Sequence, residues 1–226
     1  MIPIVDAHHH VWRQTDLPWL LGPTQPRIFG PYDAIKRDYP IEEYFADIAG
    51  TGVVKSVYVQ ANWAPNWFAD EADWVQETAV LAGAAGVEKA VYVQANWPAE
   101  HFVDEVAWVQ ATADKSGWPH GIVGYCDMTQ KDARRDLDRL ARYPLMRGVR
   151  QQLHWHENPL YRFARRADLA ADSLVQKNVA HLAQYGWSFD LQVFAHQVDS
   201  ACALAEACPD VTFVLQHAGM LEDLSV

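Results

Sequence analysis

Apolar residues fall in short runs along this chain, and longer segments of helical period separate them. The runs IPIVD, KSVYVQ, KAVYVQ, GIVGY, GVRQQL, FDLQVF and TFVLQ are rich in β-branched and aromatic residues, which suit a pleated, buried surface. They predict strands over residues 2–6, 55–60, 89–94, 121–125, 148–153, 189–194 and 212–216. The intervening segments predict helices over 41–49, 70–82, 104–113, 131–141 and 198–208, with 168–185 mainly helical. Residues 13–40, which include LPWLLGPTQPRIFGPYD, are punctuated by Pro and Gly and read as a long loop. Seven strands with helical crossovers imply an α/β fold with a parallel sheet and right-handed connections, either a barrel or a doubly wound sheet.

One βα unit occurs twice. GVVKSVYVQANW from Gly52 matches GVEKAVYVQANW from Gly86, and FADEADWVQETA from Phe68 matches FVDEVAWVQATA from Phe102. Over residues 52–79 and 86–113, 18 of 28 aligned pairs are identical at an offset of 34. Two copies do not make a solenoid. The tandem units 52–85 and 86–119 read as a local duplication inside one domain spanning 1–226.

The chemistry collects at the ends of the strands. Asp6-Ala7-His8-His9-His10 closes the first strand. Side chains alternate along a strand, so His8 and His10 share a face and His9 points away. In a parallel barrel the C-terminal strand ends converge on the active site, where two imidazoles can bind one divalent ion. The alternative is a merely exposed His-rich start. His196 follows FDLQVF and His217 follows TFVLQ, so both lie just past apolar strands.

Arg150 ends the fourth strand of the ancestral order and can clamp a carboxylate or a lactone oxygen; the alternative is an ion pair. His154 and His156 form a second H-x-H, in a loop, and are read as substrate-facing or exposed. Gln60-Ala61-Asn62-Trp63 and Gln94-Ala95-Asn96-Trp97 both follow strands. One copy is expected to line the pocket. The residues do not decide which, although the copy with Asn96 and Trp97 leads straight into GIVGY. Trp12 and Trp19 lie in the first long segment and either cover the site or pack against the rim.

Composition narrows the partners. The net charge of −11 argues against nucleic acid and against an anionic membrane surface. Ten Trp residues fit a lined pocket or a large core. Three cysteines, Cys126, Cys202 and Cys208, suggest free thiols in a reducing compartment. No basic segment followed by an apolar stretch opens the chain, and no apolar run is long enough to cross a bilayer. The expected setting is cytoplasmic. The G-x-S-x-G elbow, P-loop and G-x-G-x-x-G patterns do not occur, which removes serine-hydrolase, NTPase and dinucleotide readings.

Taken in order, DAHHHVW (6–12), RGVRQQ (147–152), FDLQVFAHQ (189–197) and PDVTFVLQHAG (209–219) resemble the amidohydrolase superfamily. The resemblance is to its amidohydrolase-related (amidohydrolase 2) branch, which includes sugar lactonases and 2-pyrone-4,6-dicarboxylate lactonases. It implies a TIM-type (β/α) barrel that hydrolyses a small carbonyl substrate, above all a sugar lactone, with a metal-dependent decarboxylase as the alternative reaction. His8 and His10 match the family's first-strand pair, His196 its fifth-strand histidine and His217 its sixth-strand histidine. Together they would hold a divalent ion, Zn or Mn, although members of this branch differ in whether they need one. Arg150, Asn96, Trp97 and His154 would contact substrate.

The family's catalytic Asp ends the eighth strand. Nine residues follow His217, and Asp223 stands too near it for that role, so the catalytic residue is unassigned. The expectation is a barrel incomplete at its C-terminus with one duplicated βα unit. A catalytically impaired remnant is the competing reading. Open sheet edges suggest a homo-oligomer in which two chains complete each other.

Overall fold

A computed structural model describes residues 2–27, 30–58, 91–95 and 97–220. The chain forms two compact units. The first comprises Met1–Gln25, Pro31–Ala95 and Trp108–Gly121, and the second comprises Pro26–Gly30, Asn96–Ala107 and Ile122–Val226.

In the first unit, β1 (Ile4–His9) pairs in parallel with β2 (Val53–Tyr58). The register runs from Ile4↔Val53 through Asp6↔Ser56 to His9↔Tyr58. Three steps on β1 between Asp6 and His9 face two on β2, so β1 carries one extra residue there. Such a bulge re-aims side chains at a strand end. A short strand β3 (Val91–Val93) also belongs to this unit.

The segment 13–40 is not a featureless loop. It contains 3-10 turns at Gln14–Asp16 and Asp33–Ile35 and a short helix α1 (Pro18–Leu21), entered through Pro18. Buried Leu17, Leu20 and Tyr32 form a small core with Trp12, Trp19 and Ile35 against it. Trp12 and Tyr39 exchange two backbone hydrogen bonds of 2.9 Å, and Trp12 Nε1 donates to the Arg37 carbonyl at 2.7 Å. Trp12 and Trp19 therefore hold this segment together.

Helix α2 (Ile41–Ile48) starts after Pro40 with Glu42 and Glu43 in its first turn, where carboxylates favour the positive helix end. It buries Ile41 and Tyr44 in a second cluster with Val11.

The second unit carries four parallel strands in chain order: β4 (Gly121–Tyr125), β5 (Met146–Gln152), β6 (Ser188–Gln192) and β7 (Phe213–Leu215). That is the order in which strands of a (β/α) barrel follow one another. Helices α4 (Ala133–Leu140), α5 (Ser173–Ala180) and α6 (Val198–Ala207) form the crossovers, and α3 (Phe102–Ser116) precedes β4. Helix α4 buries Ala133, Leu137 and Leu140, an i, i+4, i+7 stripe.

Strands β5 and β6 approach closely at Gly148↔Ser188. A Cβ on Gly148 would collide with the Ser188 side chain and lie 3.1 Å from its carbonyl oxygen, so a side chain there would require Ser188 to shift.

The predicted helix over 168–185 is broken. A 3-10 turn at Leu169–Ala171 comes first, and Asp172 then caps α5 by accepting from the Leu174 and Val175 amides at 2.8 and 3.3 Å. The helix predicted over 70–82 and most of the first repeat copy lie outside the described residues. No helix among the described residues is long and apolar enough to cross a membrane.

Candidate active-site residues

The end of β1 brings two imidazoles together. His8 Nε2 and His10 Nε2 lie 3.0 Å apart, with the rings edge-on at 74°. That is hydrogen-bonding distance between the rings; two nitrogens at about 2.0–2.1 Å from one tetrahedral zinc stand roughly 3.3 Å apart, so shared ligation would need the pair to open by a few tenths of an ångström. Asp6 organises the strand end: its carboxylate accepts from the His8 amide at 3.2 Å and from the Tyr44 hydroxyl at 2.9 Å. His9 turns the other way. It is buried and stacks on Tyr44 at 4.2 Å, and burial pushes its pKa down to about 4. Among the described residues no group of three or more His, Cys, Asp or Glu is gathered at metal-binding distance.

The second unit carries a buried polar layer across the ends of β5, β6 and β7. Arg150 and Asp190 are register partners, as are Gln152 and Gln192. Alternation puts Arg150 and Gln152, and likewise Asp190 and Gln192, on one face. Arg150 Nη2 donates to Gln192 Oε1 at 2.6 Å. Burial lowers the Arg150 pKa, opposed by the charges of Asp190 and the buried Glu105 of α3. Asp190 accepts from Gln216 Nε2 at 2.7 Å, just past β7. Its pKa is pushed up to about 6, chiefly by burial, with Arg150 acting against the shift.

His154 is 1% exposed and lies between the rings of Phe163 and Phe194, at 5.1 and 5.4 Å. Of the two expectations for His154, substrate-facing or exposed, the second does not hold, because those two rings cover it. Its pKa falls to about 4, first through burial, then through Arg150 and His217. Among the described residues nothing hydrogen-bonds to His154 Nδ1 or to Gln216 Oε1, and both atoms are buried. His156 is half-buried, and its Nδ1 accepts from the Asn158 amide at 2.9 Å.

Gln197 fixes this loop. It is 4% exposed and uses both ends of its amide. Its oxygen accepts from the Trp155 and Phe194 amides at 2.9 and 3.2 Å, and its nitrogen donates to the Leu153 and Ala167 carbonyls at 3.1 and 2.8 Å.

The other predicted residues are placed as follows. His196 is exposed on the 3-10 turn after β6 and stacks on Phe194 at 6.0 Å. His217 is exposed on the 3-10 turn after β7. Arg150, His154 and His217 fall in one electrostatic neighbourhood. Trp97 is half-buried, and Asn96 lies outside the described residues, as do Gln60 to Trp63 and Asp223.

Sequence reasoning missed Asp190, Gln192, Gln216, Glu105 and Gln197. A signal existed for the first two: in FDLQVF the polar residues stand two apart, on one face of an otherwise apolar strand.

The amidohydrolase family profile matches residues 5–224 of this chain. A curated relative, the uncharacterized protein y4mH of Sinorhizobium fredii (strain NBRC 101917 / NGR234), is 30% identical over 224 residues, covering 98% of this chain and 64% of that protein. The chain thus spans just under two thirds of the relative's length. Among solved structures, an amidohydrolase from Burkholderia multivorans with bound zinc aligns with a TM-score of 0.49 at 20% identity, over 96% of this chain and 58% of that one. A probable 2-pyrone-4,6-dicarboxylic acid hydrolase from Acinetobacter baumannii, with citric acid bound, aligns with a TM-score of 0.49 at 11% identity, over 99% and 74%.

Proposed function

This chain belongs to the amidohydrolase family, and from that premise we propose that it serves a hydrolase acting on a small carbonyl compound, a hydroxylated or carboxylated lactone above all. The observation that carries the reading is the buried polar layer at the ends of β5 to β7. Leaving a buried donor or acceptor unpaired costs about 1–3 kcal/mol. His154 Nδ1 and Gln216 Oε1 are such atoms among the described residues, beside a buried guanidinium. Polar groups kept in that condition are expected where a ligand completes them.

The residue types suit the substrate. Arg150 offers planar, paired donors to a carboxylate or a ring carbonyl oxygen. Gln216 Oε1 is an acceptor for a hydroxyl. His154, kept neutral by burial, can exchange a hydrogen bond without adding a second cation beside Arg150.

In the first unit, the convergent Nε2 atoms of His8 and His10 would hold a divalent cation, Zn or Mn by the chemistry of an imidazole pair. Such an ion, when bound, polarises a carbonyl and lowers the pKa of bound water towards neutrality. His196 and His217 are further ligand candidates on the family resemblance alone.

The test is ring opening of γ- and δ-lactones, followed by proton release in a weakly buffered indicator solution. Lactone opening above the spontaneous rate is expected, at least tenfold slower in Arg150→Lys, which keeps the charge but loses the fork. Release of CO2 without ring opening would place the chain with decarboxylases. No turnover of any lactone would remove the hydrolase reading.

A further inference from the structure

The turn after β7 holds the one non-glycine residue with positive φ among the described residues: His217, at φ 51° and ψ 30°. An L-residue is disfavoured there because its Cβ crowds the following carbonyl. The conformation persists only where surrounding contacts over-determine it.

Those contacts are present on both sides of His217. Before it, Gln216 is 7% exposed and is tied to Asp190 Oδ2 by a 2.7 Å hydrogen bond. After it, the Met220 carbonyl accepts from the Ala195 amide at 3.0 Å, and Gln192 Nε2 lies 3.6 Å from Met220 Sδ. Gly219 reverses the chain at φ 74°. The residues from 216 to 220 are thus pinned at both ends to β6 and the turn that follows it. Asp190 is the one charged anchor in this set. Its hydrogen bond to Gln216, the residue just before His217, is the contact through which it bears on that turn.

We propose that Asp190 is a positioning residue whose hydrogen bond to Gln216 holds His217 in the left-handed conformation, presenting its imidazole at the C-terminal end of β7. The functional side of this inference rests on the reading of that strand end as part of the active site. The conformational side does not. Without the bond, the peptide at His217 relaxes towards the right-handed region and the imidazole swings away.

A double-mutant cycle read by thermal melting tests the coupling. Glycine is at home at positive φ, so His217→Gly is expected to raise Tm of the otherwise unchanged protein by about 2–4 °C. In the Asp190→Leu background the same change should give no rise, because the strain is already released. Asp190→Asn keeps an oxygen that accepts from Gln216 and should restore the rise. Gln216→Met removes the donor instead and should abolish it, which keeps the test open if Asp190→Leu does not fold.

An equal glycine shift in all backgrounds overturns the proposal, as does an Asp190→Asn protein that behaves like Asp190→Leu. A protein that opens no lactone yet shows the coupling would sink the hydrolase reading and leave the positioning of His217 intact.

Discussion

Arg150→Met is expected to destabilise the protein by about 3 kcal/mol at pH 7.5, and by roughly a third of that at pH 5. Removing Arg150 takes away the positive charge that opposes the burial of Asp190, and a buried charge left uncompensated generally costs about 3–5 kcal/mol. Here the loss is capped. Asp190 already has a pKa of about 6, so it can escape by taking up a proton. At pH 7.5 protonating a group of that pKa costs about 2 kcal/mol. The lost hydrogen bond from Arg150 to Gln192 adds about 1 kcal/mol. At pH 5 Asp190 is already mostly protonated, and mainly the second cost remains. Urea unfolding of both proteins at the two pH values checks this. A penalty independent of pH would mean that Asp190 is not the group left behind. In an Asp190→Leu background Arg150→Met should cost only the hydrogen bond to Gln192, about 1 kcal/mol at either pH.

The second large effect is acid sensitivity through His154. Its folded pKa of about 4 lies below the ordinary 6.5 because burial disfavours the imidazolium. The folded state therefore binds fewer protons than the unfolded state between those values. The resulting stability is present above pH 6.5 and is lost as pH falls through 4, amounting to about 3 kcal/mol. Asp190 works the other way: its pKa is raised from 3.8 to about 6, so its contribution is present below 3.8 and lost as pH rises through 6.

The two groups oppose each other over the same range, and single variants separate them. His154→Leu should reduce the difference in unfolding free energy between pH 7 and pH 4 by about 3 kcal/mol. Asp190→Asn should enlarge it. Comparing pH values within each variant removes the variant's own packing cost. An unchanged acid slope in His154→Leu would show that the imidazole is not the group responsible.

Much of the second unit's fold is legible in the order of residues. The strand GIVGY matches β4 at both ends, and the helix predicted over 198–208 ends one residue early in α6. Apolar runs between helical stripes leave little choice there. The segment 13–40 was harder, because its order comes from Trp12, Leu17, Leu20 and Tyr32 packing on one another, with no periodic pattern. The broken helix over 168–185 turned on Asp172, a capping side chain inside a run of good helix formers.

At the strand ends, alternation anticipated that His8 and His10 would share a face, and their Nε2 atoms meet at 3.0 Å. It did not anticipate the extra residue between Asp6 and His9. The Asp190, Gln192 and Gln216 network went unseen for a different reason. Each residue sits in or beside an apolar strand whose hydrophobicity dominates the pattern, and only the pairing register puts Asp190 against Arg150.

Metal content is the measurement that bears most directly on the account. Elemental analysis of the purified protein, beside the His8→Ala/His10→Ala double variant, should find about one equivalent of zinc or manganese in the first and a clear loss in the second. The same metal content in both proteins would contradict the assignment of His8 and His10 as the ligand pair.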